Sequence, residues 1–76
     1  MKDKPRILLV EDDLNIATGL RKVMQREGYH VSFLTRGDEG LTAAMAEHFD
    51  VVVTDLKLPG LDGLQLVREL HQAKPK

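Results

Sequence analysis

The chain has 76 residues, 42% of them hydrophobic, which is enough for one small domain and too few for two. Eleven basic and 12 acidic residues give a net charge of −1 and are spread along the sequence, which argues against direct nucleic-acid binding. No apolar run approaches the roughly 20 residues of a membrane-spanning helix. The sequence contains no cysteine, which excludes disulfides and thiolate metal sites and suits a reducing cytoplasm.

The first half of the sequence predicts two strands with a helix between them. Residues 7–10 form a continuous apolar run that three acids end, a pattern typical of a parallel strand covered on both faces. Residues 14–27 carry apolar side chains at helical spacing, with Asp12 or Asp13 available as the cap and Gly28 suited to the end. Residues 30–34 are rich in β-forming side chains and predict a second strand.

The second half repeats the alternation. Residues 37–47 have helical spacing, and residues 51–53 are all valine, which predicts a third strand that ends at Asp55. A turn at Pro59 precedes a capping-box pattern at residues 62–65, which predicts a third helix that reaches about residue 73. The order βαβαβα calls for parallel strands joined by right-handed crossovers, and so for an α/β sheet with helices on its faces.

Acidic residues follow the first and third predicted strands. Glu11, Asp12 and Asp13 come directly after the first strand, and Asp55 follows the third. Because ligands of an open parallel sheet bind at the carboxyl ends of the strands, we expect these carboxylates to share one site. Crowded carboxylates repel unless a hard cation neutralises them, and Mg²⁺ is the natural candidate. A carboxylate beside Mg²⁺ can also attack a phosphoryl group, which makes Asp55 the predicted phosphoacceptor.

A second interpretation of these acids is structural. Acids at strand ends often only cap the next helix or complement its dipole, and spacing alone leaves this interpretation open. Lys57, two positions after Asp55, is expected to point its amine to solvent, with the backbone carbonyl as the useful group. The histidines, which lie in three different elements without metal-ligand spacing, predict no site: His30, His48 and His71.

Two stretches of the sequence resemble the response regulator receiver family of two-component signalling. They are residues 7–13 (ILLVEDD) and residues 50–64 (DVVVTDLKLPGLDGL). The resemblance covers the whole chain, since residues 28–31 and 37–41 fall where that family has its second strand and second helix. It implies a flavodoxin-like parallel sheet with helices on both faces, here truncated to βαβαβα with strand order 2-1-3.

The resemblance also implies a role for each residue of the site. Asp55 would accept a phosphoryl group from a histidine kinase or a phosphotransfer domain. Asp12 and Asp55 would bind Mg²⁺ directly, Lys57 through its backbone carbonyl and Glu11 through water, while Asp13 is an extra acid outside this set. The chain would then act as a phosphoacceptor and not as a multiple-turnover enzyme.

The sequence differs from the family pattern in how many βα units it contains. Residues 1–76 correspond to the first three βα units, so the resemblance implies an incomplete receiver domain. The Ser or Thr and the Lys that the family places after its fourth and fifth strands, and its output face, lie beyond these units. We therefore expect phosphorylation of this chain to be reduced or absent. The third strand would be an apolar edge, and we expect two copies to associate through it or through the face that the family's last helix would cover.

Two other functions are alternatives. One is a structural or interaction fragment that associates through its exposed third strand without phosphorylation. The other, less favoured, is a Mg²⁺-dependent phosphatase of the haloacid-dehalogenase kind, whose nucleophile lies in an Asp-x-Asp motif after the first strand. Residues 11–14 (EDDL) do not fit that motif. Turnover of a generic phosphate ester would favour the phosphatase, whereas stoichiometric labelling on Asp55 would favour the phosphoacceptor.

Overall fold

The computed structural model describes residues 4–73, which form three strands and three helices in alternation. The strands are β1 (Arg6–Val10), β2 (His30–Leu34) and β3 (Val51–Thr54). The helices are α1 (Leu14–Arg26), α2 (Gly37–Ala46) and α3 (Gly63–Ala73). Every predicted element is present. The predicted domain limits at residues 1–3 and 74–76 lie outside the described residues.

The strands form one parallel sheet in the order β2-β1-β3, which confirms the predicted fold class and strand order. β1 lies in the centre, and Leu8, for example, pairs with Ser32 on one side and with Val52 on the other. Leu8, Leu9 and Val10 are almost completely buried, which explains why the first apolar run shows no alternation. β3 lies at an edge of the described sheet; association of two copies through it stays a prediction.

The main hydrophobic core lies between β1 and the helices α2 and α3. Its buried centre consists of Leu8, Val10, Ala44 and Leu66. Partly buried hydrophobic residues surround it: Leu34, Leu41, Ala43, Phe49, Val52, Leu58, Leu61 and Leu70. α1 packs against β1 and β2. Among residues 4–73, no helix has both the length and the apolar character needed to cross a bilayer.

Both ends of α1 are formed by local hydrogen bonds. The Asp13 carboxylate accepts hydrogen bonds from the backbone N–H groups of Asn15 (2.9 Å) and Ile16 (3.2 Å), so Asp13 is the cap and Asp12 is not. At the other end Gly28 has a φ of 96°, and the Tyr29 N–H donates to the Met24 carbonyl at 3.1 Å. This is the Schellman geometry, in which glycine takes the left-handed position at little cost.

Two helices were predicted one residue too long at their C-terminal ends. Glu27 and Glu47, predicted as helical, are the C-caps of α1 and α2. Each still donates its backbone N–H to a helix carbonyl, that of Val23 for Glu27 and that of Ala43 for Glu47. Their dihedral angles have left the helical region, most clearly at Glu47 with φ −129° and ψ 161°. Side-chain periodicity does not show this change, because a cap keeps the helical spacing.

A polar network at the N-terminal ends of β1 and β3 is centred on Asp50. Its carboxylate accepts a hydrogen bond from the Arg6 backbone N–H at 2.7 Å, and the Asp50 N–H donates to the Arg6 carbonyl at 2.8 Å. The other carboxylate oxygen lies 3.2 Å from Nε2 of His48. The Arg6 guanidinium pairs with Glu47 at 2.6 Å and lies over the Phe49 ring. These contacts attach the connection between α2 and β3 to the start of β1.

This network predicts a specific loss of stability in acid. The Arg6 N–H bond, with help from His48, lowers the pKa of Asp50 below its ordinary value of about 3.9. Since the folded state lowers this pKa, its contribution is present above about pH 4 and is lost as the pH falls through the folded-state value. We expect Asp50→Asn to flatten the decline in unfolding free energy between about pH 5 and pH 3, as measured by urea denaturation. Parallel declines for the wild-type chain and the variant would contradict this.

Candidate functional site

The structure brings three of the predicted site residues together at the carboxyl ends of β1 and β3. One carboxylate oxygen each from Glu11, Asp12 and Asp55 lies within 4.8 Å of the others. The parallel register explains this, because Val10 pairs with Thr54 and the Asp55 N–H donates to the Val10 carbonyl at 3.2 Å. The residue that follows each strand is therefore placed beside the residue that follows its neighbour.

The three carboxylates have different surroundings. Glu11 is buried, with only 8% of its surface exposed, and its Oε2 accepts a hydrogen bond from the Asp13 N–H at 3.1 Å. Asp55 is exposed, and its Oδ1 accepts a hydrogen bond from the Leu56 N–H at 2.7 Å. Asp12 is also exposed, and within residues 4–73 its carboxylate makes no hydrogen bond or ion pair. Among residues 4–73, each carboxylate thus has at least one oxygen that accepts no hydrogen bond.

Within residues 4–73, no ion pair balances the negative charge of this group. None of the ion pairs in the described part of the chain involves Glu11, Asp12 or Asp55. Carboxylates this close repel one another, and a bound divalent cation would offset that repulsion. The donor atoms are all oxygens, which suits Mg²⁺ better than the softer transition metals.

The other residues considered from the sequence lie outside this group. Lys57 is exposed in the loop between β3 and α3. The role of its backbone carbonyl as a metal ligand stays a prediction. That loop is closed by a hydrogen bond from the Gly63 N–H to the Leu56 carbonyl at 2.8 Å. His48 pairs with Asp50 at the other, N-terminal end of the strands.

A family model described as the response regulator receiver domain matches residues 7–76. The chain belongs to this family. Among curated proteins, this receiver is similar to the transcriptional activator protein PfeR of Pseudomonas aeruginosa, with 47% identity over 73 residues. That match covers 93% of this chain and 24% of PfeR, so the chain spans about a quarter of the length of that relative.

Solved structures of receivers superimpose closely on this one. The response regulator TrrA from Thermotoga maritima, in complex with Mg(2+)-BeF, matches with a TM-score of 0.89 and 34% identity. The match covers 92% of this receiver and 61% of the TrrA chain. TrrA in complex with the histidine kinase ThkA matches with a TM-score of 0.86 and 34% identity, over 92% of this chain and 60% of that chain. The receiver thus spans about three fifths of these chains.

The structure also shows a pair of residues that sequence reasoning did not single out. Arg36 and Asp38, at the start of α2, form an ion pair that lies against Gly60 in the loop after β3. A charged pair two residues apart at the start of a helix gives no signal in a single sequence. The pair stands out in this receiver only because it contacts the loop after β3, which is more than 20 residues away along the chain.

Proposed function

We propose that this chain is the phosphoacceptor part of a two-component response regulator, and that Asp55 receives the phosphoryl group. The observation that carries the proposal is the convergence of Glu11, Asp12 and Asp55 at the ends of two adjacent strands. Membership of the receiver family supports the assignment of Asp55 as acceptor. In this proposal residues 1–76 hold the acceptor half of a receiver.

The residues present fit a Mg²⁺ ion. Asp12, Asp55 and the Lys57 carbonyl would bind it directly, and the buried Glu11 would hold one of its waters. Exposure of Asp12 and Asp55 leaves room for the waters that Mg²⁺ usually keeps. Bound there, the ion would offset negative charge on the phosphoryl oxygens. The TrrA structure with Mg(2+)-BeF, at 34% identity, supports this choice of metal.

The geometry divides the work between the two oxygens of Asp55. Oδ1 accepts the Leu56 N–H, which supports it as the oxygen that would also bind the ion, with Oδ2 as the oxygen that would attack phosphorus. In transfer from a phosphohistidine, the new bond joins Oδ2 to phosphorus while the phosphorus–nitrogen bond breaks. The departing imidazole nitrogen keeps the electron pair and later takes a proton from solvent. The product on this chain is an aspartyl phosphate.

The surroundings of the site favour a protein as the phosphoryl donor. Leu14 and Ile16, at the start of α1 next to the acidic residues, are 61% and 50% exposed, so apolar side chains border the site. Exposed apolar groups beside a reactive centre suit a protein surface better than a small polar donor. The complex of TrrA with the histidine kinase ThkA supports a histidine kinase, or a phosphotransfer domain, as the partner. A cysteine-free sequence is consistent with a cytoplasmic site for this encounter.

The test is intact-mass measurement with Mg²⁺ and acetyl phosphate, on this chain and on a chain extended by two further βα units. We expect the extended chain to gain the mass of one phosphoryl group, and this chain to gain it more slowly. Chelation of Mg²⁺ with EDTA should prevent the gain in both. Failure of the extended chain to gain a phosphoryl group would contradict the proposal. Catalytic turnover of p-nitrophenyl phosphate would instead favour the phosphatase.

One observation favours the second candidate function, an interaction fragment. Val51 of the edge strand β3 is 49% exposed, and an apolar edge strand invites pairing with another chain. Association of two copies through β3 predicts a sedimentation coefficient that rises with protein concentration. A coefficient that stays at the monomer value over the whole range would exclude it.

A further inference from the structure

The first turn of α2 touches the loop that follows the acceptor residue. We call Arg36, Gly37 and Asp38 the α2 clasp. The Gly37 N–H donates a hydrogen bond to the Pro59 carbonyl at 3.0 Å. The Arg36 and Asp38 side chains lie directly over Gly60. The loop, residues 55–62, is therefore held along its second half by α2, an element that contributes no carboxylate to the acidic site.

The charged part of the α2 clasp has a defined geometry. Nε of Arg36 lies 3.0 Å from Oδ1 of Asp38, and Nη2 lies 3.1 Å from Oδ2, so the pair is joined by two parallel hydrogen bonds. This pairing lowers the pKa of Asp38 and raises that of Arg36. Both side chains are about half exposed, so the pair contributes little to stability, and its importance is geometric.

The loop and the α2 clasp approach each other without spare room. A Cβ atom on Gly60 would lie 2.5 Å from Oδ1 of Asp38 and 2.7 Å from Nη2 of Arg36, closer than real side chains come. Gly60 also has a φ of 83°, in the left-handed region that favours glycine. A Cβ on Gly37 would overlap the Leu61 carbonyl. Any larger residue at Gly37 or Gly60 must therefore move the loop or the clasp.

The other half of the same loop belongs to the acidic site. It begins at Asp55, whose carboxylate accepts the Leu56 N–H, and it contains Lys57, the proposed carbonyl ligand. We infer that the α2 clasp positions this loop, and that Arg36 and Asp38 thereby control how tightly the acidic site holds a divalent cation. This inference rests on the proposed function, because the cation is the one proposed for the acceptor site. Arg36 and Asp38 are positioning residues, since they act only through the loop.

The test compares Mn²⁺ binding by the full chain and its variants, with free Mn²⁺ followed by electron paramagnetic resonance. Gly60→Ala should weaken binding by about tenfold, since forcing a non-glycine residue into the left-handed region disturbs the loop. Gly28→Ala is the matched control, because Gly28 has the same sign of φ but nothing within 4 Å. It should lower the melting temperature as Gly60→Ala does and leave Mn²⁺ affinity unchanged. A purely structural role for Gly60 would produce the same result as the control.

A second comparison removes the Asp38 carboxylate, which pairs with Arg36 and also accepts the Glu39 N–H at 2.9 Å. Asp38→Ala should weaken Mn²⁺ binding by about threefold, whereas Glu39→Ala, which removes the other acid of the first turn of α2, should not. Gly60→Ala and Asp38→Ala together should weaken binding by less than the product of their separate effects, because the first substitution already displaces the clasp. Wild-type affinity in both Gly60→Ala and Asp38→Ala would overturn the inference.

Asp12→Asn distinguishes failure of the proposed metal site from failure of the inference about the α2 clasp. It should abolish Mn²⁺ binding if the acidic group is the metal site. If the wild-type chain bound no Mn²⁺, or Asp12→Asn bound it equally well, the proposed metal site would fail and the inference with it. If Asp12→Asn abolished binding while the clasp variants bound normally, only the inference would fail.

Discussion

Replacing Asp55 with Asn is expected to abolish phosphoryl labelling of the chain by acetyl phosphate. The amide lacks the anionic oxygen that attacks phosphorus, whereas its carbonyl oxygen can still accept the Leu56 N–H, so the loop keeps its hydrogen bond. The change also removes one of three clustered negative charges. We therefore expect the folded state to be at least as stable as that of the wild-type chain when no cation is present.

The matched control for this variant is Asp62→Asn. Asp62 is another exposed acid of the same loop, and its Oδ1 accepts a hydrogen bond from the Gln65 N–H at 2.9 Å at the start of α3. Asparagine caps helices as well as aspartate does, so the fold should be unchanged and labelling should proceed at the wild-type rate. Intact-mass measurement of both variants in the extended chain checks the assignment. If Asp55→Asn were still labelled, another residue would be the acceptor.

Leu66→Ala is expected to destabilise the chain by about 2–5 kcal/mol. Leu66 is completely buried in α3, against the core centre formed with Leu8, Val10 and Ala44, so the substitution leaves a cavity. A domain of this size has a total stability of roughly 4–11 kcal/mol at ordinary values per residue. The variant should therefore lose a large share of its stability, and it would be unfolded at room temperature only if the wild-type chain lies at the low end of that range.

Urea denaturation followed by circular dichroism measures this loss. The control is Leu64→Ala, in the same helix, because Leu64 is 51% exposed and its truncation should cost less than about 1 kcal/mol. If both variants lost stability equally, Leu66 would not be the centre of the core. A Leu66→Ala variant that still unfolds cooperatively, but at a lower urea concentration than the wild-type chain, would support the proposed packing, because the midpoint reports stability.

The sequence predicted the fold well because its strongest signals are local. The apolar run of β1 and the helical spacing of α1 depend on neighbours within a few residues, and both elements were found where expected. The proximity of Asp55 to Glu11 also followed from a simple rule, because neighbouring parallel strands have their carboxyl ends on the same side of the sheet. Strand order was harder, and it came from the resemblance to receivers rather than from spacing.

Features that depend on particular hydrogen bonds or on tertiary contacts escaped prediction. Spacing left both Asp12 and Asp13 available as the cap of α1, and only the hydrogen bonds to Asn15 and Ile16 identify Asp13. That result bears on function, because it leaves the Asp12 carboxylate free for the acidic site. The contact of Arg36 with the loop after β3 also escaped prediction, because it depends on how α2 packs and not on the sequence around it.

The central position of β1 has a consequence for the order in which the chain folds. Ile7 pairs with Val31 and with Val51, so closing β1 onto β3 spans a chain segment nearly twice as long as closing it onto β2. The extra loop entropy is about 0.5 kcal/mol, which favours formation of the β1-α1-β2 unit first. Asp55, carried by the strand that closes the longer loop, is then the last acid to reach the site. The proposed cation, which needs all three carboxylates, would bind only the finished sheet, and by mass action it would draw the chain toward the folded state.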